Sequence, residues 1–167
     1  CRIQPYAAVK DLLYAEDFYW LQKHALTEPE LTIIDAGAFN GDTMTSLFQA
    51  YGRSIKRYYA FEPMPHIYPQ LLQTAANFSD ITDITCVNAA LYNQNVLMPF
   101  HKGVPRSSKL SANGDTLVQC RKLDDFAIEV TGKACLKMDI EGDEMAALAG
   151  AAEFIRTYRP HLALCLY

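Results

Sequence analysis

Four apolar runs in this chain each end in a stretch of small, acidic or amide residues suited to holding or attacking a ligand. The first stretch is Asp35-Ala-Gly37-Ala38-Phe39-Asn40-Gly41-Asp42-Thr43. Gly37 permits a tight turn and close backbone approach to a ligand. Gly41 permits close packing at a helix start, where Asp42 or Thr43 can cap free N–H groups. The spacing is neither the dinucleotide G-x-G-x-x-G fingerprint nor a P-loop. An acid such as Asp35 at the strand end repels a pyrophosphate and suits a cationic ligand. The second stretch is Phe61-Glu62-Pro63, and Glu62 follows Gly41 by 21 residues. A carboxylate there, after a second strand, is placed to accept ribose hydroxyls, and Pro63 fixes the turn. The third is Asn88-Ala89-Ala90-Leu91. Its small residues admit a flat group and Asn88 can bond a base edge, although a plain strand end reads equally well.

The fourth stretch, Lys137-Met-Asp139-Ile-Glu141-Gly142-Asp143-Glu144, is the densest charge cluster. Strand alternation puts Lys137, Asp139 and Glu141 on one face. Asp139 or Glu141 can act as a general base or metal ligand, with Lys137 pairing with them or orienting them. For a metal on Asp139 the sequence offers no clear second and third ligand. Asp143 and Glu144 also suit a helix N-terminus, and a buried Lys–Asp pair can be purely structural.

The elements that must carry these stretches alternate. Short apolar runs over 31–35, 57–61, 84–88 and 134–139 read as buried strands, with a last strand over 162–166. Helical spacing over 43–51, 65–78 and 144–158 separates them, the last helix having Gly150 inside it. Such alternation implies parallel strands and crossover helices, hence an α/β doubly wound sheet. Residues 96–101 and 116–123 read as strands without intervening helices, an antiparallel insertion or edge. The polar loop between them contains Arg106, Ser107, Ser108 and Lys109, and Asp124 and Asp125 suit a cap on the turn that follows. Residues 7–26 have partly helical spacing outside the sheet.

Composition narrows the function classes. The chain has 167 residues, half of them apolar, and a net charge of −4. That length suits one domain with its own core. The acidic balance argues against nucleic acid and against an anionic membrane surface as partner. No apolar run approaches the ~20 residues of a membrane span, and the start has no signal-peptide core. The chain does not begin with Met, so an excised piece or a processed product is expected. Cys1, Cys86, Cys120, Cys135 and Cys165 form no C-x-x-C pair. Four of them read as small buried hydrophobes, and a reducing cytoplasm is the expected compartment.

Taken together, these stretches resemble the FkbM-type family of S-adenosylmethionine-dependent methyltransferases. The matching segments are 34–43, 59–63, 88–91, 122–125 and 136–144, in order, with 149–151 and 159–160 fitting the closing pattern. The resemblance implies a Rossmann-like, mostly parallel sheet of the class I methyltransferase type, with S-adenosylmethionine as cofactor. It implies that Asp35, Gly37, Ala38, Phe39 and Gly41 line the methionine end, with Asn40 in the same loop. Glu62, followed by Pro63, would hold the ribose hydroxyls, and Asn88 and Ala89 would lie near the adenine. Asp139 and Glu141 would face the acceptor. Phe39 stands where the family more often has Asn or another polar residue, although aromatic variants with Gly-Asp-Thr also resemble the family. A complete sheet of this type adds two strands beyond Tyr167. Residues 31–167 are therefore expected to be a C-terminally truncated methyltransferase domain with an exposed edge. Residues 1–30 would form a helical lid or packing segment. The implied reaction is O-methylation of a small molecule or glycan. Asp139 or Glu141 would take the proton, oriented by Lys137, with His101 a further candidate base. The rival reading is a non-catalytic methyltransferase-like interaction module. A nucleotide-binding oxidoreductase is disfavoured by the missing fingerprint.

Overall fold

The computed structural model describes residues 28–101, 109–110 and 116–165. The helical segment expected over 7–26, the loop residues Arg106, Ser107 and Ser108 and the side chain of His101 lie outside the described residues, as does Cys1.

Six consecutive residues of β1 (Leu31–Ala36) are buried, the signature of a central parallel strand covered on both faces. The chain continues through α1 (Asp42–Tyr51), β2 (Ile55–Phe61), α2 (Tyr68–Ala76) and β3 (Asp83–Val87). It then passes through β4 (Ala90–Leu91), β5 (Val96–His101), β6 (Lys109–Leu110) and β7 (Thr116–Arg121). It ends with β8 (Lys133–Met138), α3 (Glu144–Ala149), α4 (Ala152–Tyr158) and β9 (His161–Leu164). The main sheet has the order β3-β2-β1-β8-β9, and every pairing is parallel. Alternation along β1 sends Leu31 and Ile33 to one face, where Met44, Leu47, Tyr58 and Leu71 pack. Ile34 and Ala36 go to the other, with Phe61, Leu136, Met138 and Phe154. Each large side chain so buried stabilises the fold by about 1.5–3 kcal/mol. The architecture is the doubly wound α/β sheet the alternation implied.

The segment between β3 and β8 forms a second sheet of order β4-β7-β5-β6. Its β5–β7 and β5–β6 pairs are antiparallel, as expected, and its β4–β7 pair is parallel. Phe100, Val118 and Cys120 on its inner face pack around Met64, just after β2. The sheet therefore braces the turn that carries Glu62.

The single helix expected over 144–158 is two helices, α3 and α4, broken at Gly150 and Ala151. The cause lies far along the chain. Gly150 packs against the Tyr92 carbonyl, and its own carbonyl accepts the Asp124 N–H at 3.0 Å. The Asp124 carboxylate then accepts the N–H groups of Glu153 and Phe154, at 3.0 and 2.8 Å. Asp124 thus caps α4 rather than the turn that follows it. Helix α2 begins at Tyr68, later than the expected Pro65. The Met64 carbonyl takes the Ile67 and Tyr68 N–H groups as a preceding turn. Among the described residues no helix is long and apolar enough to cross a membrane.

Gly150→Ala separates packing from propensity. Alanine favours a helix by about 1 kcal/mol over glycine. Here its Cβ would lie 1.9 Å from the Tyr92 backbone oxygen. Urea denaturation is expected to show a net loss of about 1–3 kcal/mol. A gain would mean that the contact yields freely.

Candidate active site

The chain leaves the central neighbours β1 and β8 in opposite directions, toward β2 and toward β9. That reversal opens a crevice beyond their carboxyl ends, where ligands bind in open α/β sheets. Residues 37–41 and 139–143 form its two loops, and the loops touch. A Cβ on Gly37, at φ 76°, would lie 2.1 Å from the Asp139 carbonyl oxygen. Position 37 therefore has no room for a side chain. At Gly41, φ 88°, a Cβ would meet the Thr74 side chain at 2.7 Å, and the Thr74 hydroxyl donates to the Asn40 carbonyl at 2.6 Å. Asp42 accepts the Thr43 N–H at 2.8 Å. Phe39 also has a left-handed φ of 49°, uncommon for a non-glycine residue. Its N–H is held by Glu62 Oε2 at 3.0 Å.

A buried polar network supports this first loop. Asp35 Oδ1 and Lys137 Nζ lie 2.8 Å apart, with side-chain exposures of 0% and 2%. Asp35 Oδ2 accepts the Tyr58 hydroxyl at 2.7 Å, and Lys137 Nζ donates to the Gly37 carbonyl at 2.8 Å. Burial, with the Asp35 carboxylate adding to it, pushes the Tyr58 hydroxyl well above its ordinary pKa, so it donates as a neutral phenol. Asp35, expected to orient the loop or meet a cation, meets the Lys137 ammonium, because the two residues are directly opposed on adjacent strands.

Glu62 is almost wholly buried and accepts the N–H groups of Phe39 and Met64, at 3.0 and 2.8 Å. Burial raises its carboxyl pKa, opposed by those N–H bonds and by Lys137. A carboxylate can accept about four hydrogen bonds, so each Glu62 oxygen keeps capacity. The Asn88 amide donates to the Glu62 and Pro63 carbonyls at 2.8 and 3.1 Å, tying the end of β3 to the turn after β2. Its N–H groups therefore serve backbone. Ala89 is buried beside it. The Asn40 side-chain oxygen is buried without a hydrogen-bond partner among the described residues.

In the second loop Asp139 and Glu141 are half-buried. The Cys165 N–H bonds the Met138 carbonyl at 2.9 Å, extending the β8–β9 ladder. Its thiol bonds Asp139 and is pushed up to about 11, mainly by burial and then by the Asp139 charge. Glu141 has a left-handed φ of 61° and Gly142 one of 108°. Buried Glu144 accepts the N–H groups on either side of Glu141, from Ile140 at 3.2 Å and Gly142 at 3.3 Å. Glu144 therefore fixes the turn that carries Glu141, beyond any effect on the helix dipole. Among the described residues no group of three or more His, Cys, Asp or Glu could hold a metal ion.

Residues 35–165 match the family described as the methyltransferase FkbM domain. The chain belongs to the FkbM methyltransferase family. One solved structure, described as methyltransferase FkbM from Methylobacillus flagellatus KT, is similar to it, with a TM-score of 0.67 and 23% identity. The likeness is one of fold. It covers 96% of this chain and 37% of that one, so this FkbM domain spans well under half the length of the solved relative. No curated protein matches the chain.

Two supports of the FkbM crevice escaped the sequence reading. Tyr58 offered a signal, since a tyrosine in a buried strand needs a partner for its hydroxyl. Cys165 offered none, because its neighbour depends on the β8–β9 register.

The raised pKa of Glu62 makes stability depend on pH. Between the ordinary carboxyl value near 4.5 and its higher folded value, the folded state binds more protons than the unfolded state. The Glu62 contribution is therefore fully present below the unfolded pKa and is lost as pH rises through the folded one. Denaturant unfolding of wild type and Glu62→Gln at several pH values is expected to show wild type losing ground as pH rises. A pH-independent difference would refute the assignment.

Proposed function

We propose that this domain is an S-adenosylmethionine-dependent methyltransferase acting on a hydroxyl of a small molecule or glycan. The observation that carries the reading is Glu62, a buried carboxylate bonded to the glycine loop yet with lone pairs to spare. The residues present fit the cofactor. The Asn40 side-chain oxygen, buried without a hydrogen-bond partner among the described residues, suits a ligand N–H group. The acidic crevice suits a sulfonium cation.

In this reading Glu62 accepts the ribose hydroxyls, with Pro63 fixing its turn. The loop residues Gly37, Ala38, Phe39, Asn40 and Gly41 line the methionine end. Asn88 and Ala89 border the adenine, Asn88 by holding the β2 and β3 ends together. Asp35 acts at one remove, through Lys137. The cofactor supplies the activated methyl group. The chain must hold the acceptor oxygen in line, exclude water and remove the hydroxyl proton. Asp139 or Glu141 takes that proton, since both lie on the loop facing the glycine loop across the crevice. A reducing cytoplasm is the compartment in this reading, with Cys86, Cys120, Cys135 and Cys165 as free thiols.

Thermal unfolding with S-adenosylmethionine or S-adenosylhomocysteine tests the cofactor, with NAD as control. At 100 times the dissociation constant a ligand adds about 2.7 kcal/mol, a rise of roughly 5–11 °C for this size. Glu62→Ala is expected to abolish the rise. A folded wild-type sample that shows no rise would leave a domain that keeps the family fold without the cofactor. With methyl-labelled cofactor and a panel of hydroxylated acceptors, label is expected as a methyl ether. Asp139→Asn or Glu141→Gln should slow transfer by about 10²–10⁴-fold while cofactor binding persists.

A further inference from the structure

The peptide group between Gly37 and Ala38 is held on both sides. Its carbonyl accepts the Lys137 ammonium at 2.8 Å, and its N–H donates to the Phe61 carbonyl at 2.9 Å. The next N–H, on Phe39, goes to Glu62 at 3.0 Å. Together these bonds set which groups of the loop face the crevice. The carbonyl bond alone comes from the opposite side of the crevice, from β8. Lys137 is itself held from behind by Asp35, and Asp35 by Tyr58. At 2% exposure water does not compete for the ammonium. Neutralising Asp35 would not require a bond to Gly37, yet the ammonium makes one.

We propose that Lys137 is a positioning residue of the cofactor loop. Its ammonium fixes the Gly37 carbonyl, and so the loop face offered to the cofactor, while Asp35 and Tyr58 hold the ammonium in place. The inference rests on the cofactor reading above. It separates two tasks. Charge balance is met equally well if Asp35 and Lys137 are neutralised together, whereas positioning requires the Lys137 N–H.

The test compares the 167-residue chain with Lys137→Met, Asp35→Asn/Lys137→Met and Tyr58→Phe. The readouts are the unfolding midpoint, calorimetric affinity for S-adenosylhomocysteine, and amide hydrogen exchange over residues 37–41. Lys137→Met should lose both midpoint and affinity, since it leaves a buried carboxylate uncompensated. The neutral double variant should regain most of the midpoint, because a buried ion pair can be replaced at little cost in stability. It should still bind about tenfold more weakly than wild type, the scale of one lost hydrogen bond to a charged group. It should also exchange faster at the Ala38 and Phe39 amides. Tyr58→Phe, which loosens Asp35 without removing the ion pair, should shift affinity and exchange the same way by less. It carries the test if the double variant fails to fold. Wild-type affinity with wild-type exchange in the folded double variant would reduce Lys137 to charge balance and overturn the proposal. The same result in Tyr58→Phe would do so if that variant carries the test. If wild type binds no S-adenosylhomocysteine, the cofactor reading fails. Exchange then decides positioning alone: faster exchange upholds it and unchanged exchange overturns it.

Discussion

A full charge pair, Asp35 with Lys137, lies between the two central strands out of reach of water. Burying either charge alone costs several kcal/mol. The pair is tolerable only if β1 and β8 meet in the one register that opposes these two residues. That register brings the Asp139 carbonyl up to Gly37, which is why position 37 has no room for a side chain. It also sets the Asp139 N–H on the Ala36 carbonyl at 3.1 Å, so both crevice loops leave the sheet from fixed points. Apolar residues in place of the pair could give similar stability. They could not supply a directed bond to a loop carbonyl.

Carboxylates also hold the loops, by a different means. Glu62 and Glu144 are buried, and each accepts two backbone N–H groups from the turns around it. Phe39 and Glu141, the two left-handed non-glycine residues of the crevice, lie at these contacts. Such conformations persist only where surrounding bonds over-determine them. The crevice walls are therefore set before any ligand arrives. Pre-organised groups need not reorganise as charge develops during a reaction.

Much of this was legible in the sequence, and the limits have a physical pattern. The apolar run at 31–35 and its glycine turn announced a buried strand and its loop. The distance from Gly41 to Glu62 announced a second strand ending in a carboxylate. These features are encoded within about 30 residues, where periodicity and turn chemistry act. The break at Gly150 was not legible, because Tyr92 and Asp124, which cause it, come from other elements. The partners of Asp35 and Cys165 were hidden for the same reason, since each follows from strand register. Lys137 shows the limit most clearly. Alternation placed it on the same face as Asp139, but neighbours across the sheet decided what it touches.

The bond from Lys137 to Gly37 joins positions 100 residues apart in the chain. The bonds from Glu62 to Phe39 and from Tyr58 to Asp35 each span 23. Long-range parallel pairing is slow to form, because a large loop must close before any contact rewards it. The glycine loop and its carboxylate neighbour thus come within reach of each other while the chain is still short. Support for the Gly37 carbonyl waits for β8 to dock. A nascent chain ending before Lys133 already contains every residue of the glycine loop but leaves the Asp35 charge without its cation. The crevice is therefore complete only where β8 has paired with β1.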